Sequence, residues 1–177
     1  QFKDAKYSAE RERSVGLGVM GFHSFLQQKR IPLESVMAKS WNKKIFKNIH
    51  EKVNQASKDL AEERGACPDA AEYGFKERFS NKTAIAPTAS ISIICGGASP
   101  GVEPIAANSY THKTLSGSFN VRNRYLEEIL EGHGKNDDET WSTITTNQGS
   151  VSHLDFLTDL EKDVFKTAFE LNQKWII

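Results

Sequence analysis

The chain has 177 residues, about the size of one domain, and a chain that long buries roughly two-thirds of the surface its unfolded form exposes. Hydrophobic residues make up 38% and charged residues 26%, a balance that excludes wholesale disorder. Lys plus Arg and Asp plus Glu both number 23, so no excess positive charge exists to displace counterions from a nucleic-acid polymer. No apolar run approaches the ~20 residues that cross a bilayer, and residues 1–12 are too charged for a signal peptide. One core in a cytoplasmic protein is expected.

In residues 14–30, Val15, Val19, Phe22 and Leu26 recur at helical spacing before Ile31-Pro32 breaks the pattern, which predicts a short helix. Gly16-Leu17-Gly18-Val19-Met20-Gly21 also fits the G-x-G-x-x-G of dinucleotide folds. Its context is wrong, because charged residues 8–13 precede it where a buried strand is required. The glycines are therefore assigned to a close helix crossing. In residues 41–64, Trp41, Ile45, Ile49, Val53, Ala56, Leu60 and Ala61 form an apolar stripe, with Ser40 as N-cap and Gly65 as stop. Residues 65–81 read as a loop or loosely helical stretch, and Thr83-Ala84-Ile85-Ala86 as one buried strand ended by Pro87.

Glycines and prolines in residues 96–109 favour irregular backbone. Residues 110–122 suggest an extended pair around Ser116-Gly117-Ser118, followed by a helix over 124–131 between Asn123 and Gly132. After a polar link over 133–138, Thr158-x-x-Glu161 forms a capping box. The helix it opens is expected to bury Leu160, Val164, Phe165, Ala168, Leu171 and Trp175. It then stops on Trp175-Ile176-Ile177, an uncapped apolar end that reads as cut and exposed.

Candidate chemistry is sparse. Cys67 and Cys95 are too far apart for a Cys-x-x-Cys motif and read as reduced and buried. The histidines His23, His50, His112, His133 and His153 form no H-x-x-x-H pattern, so a metal site is not expected. No G-x-S-x-G elbow exists, and Asp137, Asp138 and Glu139 read as a solvated helix start. Pro87-Thr88-Ala89-Ser90-Ile91-Ser92 stands apart, with its hydroxyls gathered where an apolar run ends. If a helix starts there, its first amides lack intrahelical partners and offer an anion site without any lysine. Taken alone, the residues favour a plain Ser/Thr-rich turn whose isoleucines continue as strand.

Several further segments stand in a fixed order: Arg13-Ser14-Val15-Gly16-Leu17-Gly18-Val19, Glu63-Arg64-Gly65-Ala66-Cys67-Pro68, and the run from Ala86 through Ser92. Gly101-Val102-Glu103-Pro104 and Thr114-Leu115-Ser116-Gly117-Ser118-Phe119 follow, and then Asn147-Gln148-Gly149-Ser150-Val151 and Phe165-Lys166-Thr167-Ala168-Phe169-Glu170. In order and spacing they resemble the C-terminal half of class I ribonucleotide reductase large subunits, particularly bacterial and phage types. The resemblance runs nearly the whole chain. It implies an α/β fold, with residues 1–177 a helix-rich portion of the family's ten-stranded α/β barrel and no separate second domain.

By the same resemblance, Thr88, Ala89, Ser90, Ile91 and Ser92 hold the diphosphate of a ribonucleoside diphosphate substrate, which reverses the plain-turn reading. The implied chemistry is radical reduction of the ribose 2′-hydroxyl, and the implied partners are the rest of the large subunit, a small radical-generating subunit, and thioredoxin or glutaredoxin. The radical cofactor belongs to the small subunit, dNTP/ATP effectors bind upstream, and this segment binds no cofactor itself. The family's catalytic cysteines match neither Cys67 nor Cys95 and are expected before Gln1, with its paired tyrosines and cysteine tail beyond Ile177. A non-catalytic assembly module, either a remnant or a split-subunit partner, is the alternative.

Overall fold

The computed structural model describes residues 2–115 and 117–175. Ser116, at the centre of the expected turn, and the terminal Ile176-Ile177 lie outside the described residues. The helices are α1 (Lys3–Glu12), α2 (Phe22–Gln28), α3 (Val36–Arg64), α4 (Pro68–Glu72), α5 (Ala89–Ile94), α6 (Arg124–Gly132), α7 (Asp138–Thr146) and α8 (Asp159–Val164). Strands β1 (Ser109–Thr114) and β2 (Gly117–Arg122) lie between α5 and α6, and a short 3-10 turn spans Gln173–Trp175. The residues divide into two compact units, Gln1–Gly18 with Ser40–Ala86, and Val19–Lys39 with Pro87–Ile177. No helix among the described residues is long and apolar enough to cross a membrane.

In the first unit α1 buries no residue and is tied to α4 by Arg11, which donates to Asp69 at 2.5 Å and to Glu72. The helix predicted from residue 14 is absent until Phe22. Instead Leu17 forms an isolated parallel bridge with Thr83, and the Val15 and Leu17 amides donate to Asn81 and Lys82 carbonyls at 2.9 and 3.1 Å. Gly16 and Gly18 serve this pairing rather than a helix crossing, and Gly21 is the left-handed N-cap of α2. A Cβ on Gly16 would lie 2.8 Å from that of Ala84, and one on Gly18 2.7 Å from the Ala84 carbonyl oxygen. Thr83 to Ala86 is likewise no buried strand, since Ile85 is 83% exposed.

Helix α3 begins earlier than the apolar stripe suggested. Ser35, not Ser40, caps it, accepting from the Ala38 amide at 3.1 Å, as an N-cap oxygen does for the third helical amide. Gly65 stops it at a φ of +80°, the left-handed conformation glycine adopts without steric cost.

The second unit holds the larger core. Leu126 and Leu130 of α6, Trp141 and Ile144 of α7, and Val151, Leu154, Val164 and Phe165 bury one another. Each helix entering it is capped as its sequence suggests. The Asn123 side chain accepts from the Tyr125 amide, Asp137 accepts from Thr140, and Thr158 and Glu161 complete the capping box. The expected extended pair is an antiparallel hairpin in which Tyr110 faces Val121 and His112 faces Phe119.

Helix α8 is much shorter than predicted. The Phe165 carbonyl is taken by the Asn108 side chain at 2.7 Å, and the Ala168 amide donates to the Ile105 carbonyl at 2.8 Å. With those groups satisfied elsewhere the helical ladder has nothing to continue on. Val164, Phe165 and Leu171 are buried as expected, but Leu160 is 58% exposed, and half-buried Trp175 lies under the Lys39 ammonium, 4.4 Å from the ring centre. Both cysteines are free, Cys67 buried as expected and Cys95 exposed, contrary to expectation.

Candidate functional site

The chain turns into α5 through Thr88, whose φ of 53° and ψ of 27° place a β-branched residue in the left-handed region, a conformation worth scrutiny for such a side chain. The Gly101 amide donates to the Thr88 hydroxyl at 2.8 Å and anchors it. Helical bonding begins with the Ser92 amide donating to the Thr88 carbonyl at 2.9 Å. Among the described residues, the amides of Ala89, Ser90 and Ile91 have no acceptor, and Thr88 provides no side-chain cap. This is the helix start, with outward amides, that the sequence left open against a strand.

The structure sorts the five candidate residues into different situations. Ala89 and Ser92 line a cleft of about 420 Å³, within the size range of small-molecule sites. Ser90 and Ile91 are exposed and are not part of its lining. Ser92 is 5% exposed, and its hydroxyl donates to the Ala89 carbonyl at 2.8 Å. The Thr88 hydroxyl, accepting from Gly101, keeps its own hydrogen for another acceptor.

The same cleft is lined by Ile105, Ala106, Ala107 and Asn108, and the hairpin contributes Tyr110, Val121 and Arg122. None of these was singled out from the sequence. A buried Asn within an irregular run has no periodicity to betray it, and only the glycine- and proline-rich composition of 96–109 hinted at a shaped backbone. Arg122 donates to Asp138 at 2.7 Å and lies over the Trp141 ring, and Arg124 donates to the Gly96 carbonyl at 2.7 Å. These cations are thus engaged in holding structure. Behind the wall, His23 accepts from the Ile105 amide at 3.1 Å, and burial pushes its pKa down to about 4, leaving a neutral ring at ordinary pH. Neither cysteine lines the cleft.

The sequence model of the ribonucleotide reductase barrel domain matches residues 1–77 and 69–177. Similar proteins include the ribonucleoside-diphosphate reductase large subunits of Invertebrate iridescent virus 6, 50% identical over 96% of this chain, and Invertebrate iridescent virus 3, 46% identical over 97%. Among solved structures, the class Id ribonucleotide reductase alpha subunit of Actinobacillus ureae superposes with a TM-score of 0.86 at 40% identity over 96% of the chain. The chain spans only part of each, 18% and 27% of the two viral proteins and 30% of the bacterial one.

Proposed function

The chain belongs to the ribonucleotide reductase barrel-domain family and has the fold of a helix-rich portion of its α/β barrel, and on that premise we propose that it is a segment of a ribonucleoside-diphosphate reductase large subunit whose residues 88–92 hold the substrate diphosphate. The observation that carries this reading is the run of three unbonded amides, Ala89, Ser90 and Ile91, at the edge of a cleft.

Each amide donates to a phosphate oxygen, assisted by the ligand's charge. Ser90 adds a free hydroxyl and Thr88 the hydrogen left on its own. Ser92 supports from beneath, because its hydroxyl hydrogen is committed to Ala89. Amides fixed in a backbone orient a diphosphate as well as binding it, which directs the ribose toward the reacting groups.

Those reacting groups, in this proposal, lie in the rest of the large subunit. Cys67 is buried at the head of α4, Cys95 follows α5 outside the cleft lining, and neither is assigned a thiyl or reducing role. The small radical-generating subunit supplies the radical, and thioredoxin or glutaredoxin restores the reduced state. The 177-residue polypeptide alone is therefore expected to convert no ribonucleoside diphosphate. Dithiol-dependent formation of the deoxy product by the purified chain would overturn the assignment of its cysteines.

In a full-length large subunit containing this segment, Ser90→Ala is expected to weaken ribonucleoside diphosphate binding by about 1 kcal/mol, one charge-assisted hydrogen bond partly replaced by water. Calorimetric titration with the diphosphate and with the unphosphorylated nucleoside checks it. A loss confined to the diphosphate supports the assignment; equal losses for both, or none for either, remove Ser90 from the phosphate site.

A further inference from the structure

Three carboxamides, buried Gln27 and Asn108 and half-buried Asn123, meet at the root of the β1–β2 hairpin. Asn108 immediately precedes β1 and Asn123 immediately follows β2. The Asn123 backbone amide donates to the Asn108 carbonyl at 2.8 Å, adding a rung beyond the strand ends. Its side-chain nitrogen donates both to the Asn108 side-chain oxygen at 2.9 Å and to that of Gln27 at 3.0 Å. Asn108, only 1% exposed, sends its own side-chain nitrogen to the carbonyls of Gly149 at 2.9 Å and Phe165 at 2.7 Å.

Both hydrogens of the Asn108 carboxamide and its oxygen are thus engaged, which is the condition for burying such a group without a large penalty. Only a carboxamide offers two donors and an acceptor in one plane at that reach. Aspartate would set carboxylate oxygens against two carbonyl oxygens.

The lock bears directly on the cleft. Asn108 and Asn123 both line it, and the hairpin they root contributes Tyr110, Val121 and Arg122. Alongside them Ala106 and Ala107 lie outside any strand, so no sheet ladder fixes them. The strip is pinned at one end by Ile105, through His23 and Ala168, and at the other by Asn108. It has no slack against its neighbour, because a Cβ on Gly149 would fall 2.6 Å from the Ala107 Cα. Helix α5 takes bonds that do not involve Asn108: the Gly101 amide on the Thr88 hydroxyl and the Gly97 and Ala98 amides on the Ser92 carbonyl.

We propose, resting on the diphosphate reading above, that Asn108 is a positioning residue for the substrate: its carboxamide, braced by Asn123, sets the wall facing α5 and so aligns the nucleoside behind a diphosphate held by the helix start. None of those bonds on α5 runs through Asn108, although both segments also bond to α2, residues 99–101 through Ser24 and Ile105 through His23. Loosening Asn108 therefore disturbs how the nucleoside is seated while leaving the phosphate donors in place.

The test uses the full-length large subunit with its radical-generating partner. Asn108→Asp is expected to raise KM for a ribonucleoside diphosphate about ten-fold while kcat stays within about two-fold, the pattern of lost uniform binding. The KM defect is expected to shrink as pH falls from about 8.5 to about 6, because a buried carboxyl protonates early and regains one donor. The unsubstituted enzyme should lack that trend. An unchanged KM at every pH, with only a lowered thermal midpoint, would overturn the proposal and leave Asn108 a purely structural residue. Should Asn108→Asp fail to fold, Asn123→Ser keeps a helix-capping oxygen but removes both carboxamide donors. It is expected to raise KM about three-fold, and no change in KM would count equally against the proposal. Inorganic pyrophosphate separates the two readings: Ser90→Ala weakening its binding supports the diphosphate site, whereas Asn108→Asp weakening it as much as the nucleotide would refute a role confined to the facing wall.

Discussion

His23 shows how a single residue ties the fold to solution conditions. Buried, with its ring nitrogen accepting from Ile105, it titrates near 4 instead of 6.5. Between those values the unfolded chain takes up a proton that the folded chain refuses, so stability is full above pH 6.5 and falls as pH drops toward 4. At about 1.4 kcal/mol per unit, the loss amounts to roughly 3 kcal/mol. Glu34, Glu77 and Glu161 are all held below their ordinary 4.5, so stability they confer is present above that value and is lost as pH falls below it. The interval from about 6.5 to 5 therefore belongs chiefly to His23. Urea midpoints measured across it are expected to fall in the natural chain and stay nearly flat in His23→Gln, which retains an acceptor. Parallel slopes would show that another group carries the effect. None of this was legible beforehand: the sequence excluded patterned metal ligands but could not tell a buried histidine from an exposed one. The candidate site was legible only in part, for the same reason. Residues 88–92 carry a local signature in their hydroxyls, whereas Asn108 and Asn123 acquire meaning only when the hairpin brings them together.

At the level of elements, local chemistry placed three helix starts in the second unit and the stop of α3 at Gly65, but misplaced the start of α3 at Ser40 instead of Ser35. Asn123, Asp137 and Thr158 each cap the helix their sequence context announced, because a cap acts within one turn. The ending of α8 and the pairing of residues 15–17 were decided from far away. Helix α8 stops where Asn108 takes the Phe165 carbonyl, and the apparent helix from residue 14 is drawn into pairing with residues 81–84, where Gly16 and Gly18 leave no room for a side chain. The Thr158 hydroxyl accepts from the Glu161 amide at 3.2 Å, while Glu161 accepts from the Thr158 amide at 2.8 Å and pairs with His133 at 3.1 Å. Thr158→Ala removes one half of this arrangement and is expected to destabilise the unit by about 1 kcal/mol. Thr158→Ser, keeping the oxygen, should recover most of it. Equal unfolding midpoints for the Ala variant and the natural chain would mean that Glu161, held by His133 alone, suffices to order the helix start.

For the whole molecule, the decisive contrast is between the interiors of the two units. One contains a continuous cluster of large side chains, including fully enclosed Leu126, Leu130, Ile144 and Phe165. In the other, the buried positions among the described residues are Ser57, Ala61, Cys67 and Ala70, all small. The stripe on α3 that marked it as the most secure helix, Trp41, Ile45, Ile49, Val53 and Leu60, is only half-buried. A large apolar side chain gains about 1.5–3 kcal/mol on full burial, so much of what that stripe could contribute is not realised within its own unit. Relatives several times longer have the material to cover it, and in the proposed large subunit the rest of the barrel would do so. Alone, the 177-residue chain is therefore expected to protect the amides of α6 and α7 far better than those of α3, and to associate as concentration rises, because uncovered apolar stripes seek partners. Hydrogen exchange followed by mass spectrometry, with sedimentation velocity over a concentration series, tests both expectations. A strictly monomeric chain with α3 protected as strongly as α6 would show that the small unit closes its own interior, and would favour a free-standing module over a segment that depends on the remainder of a barrel.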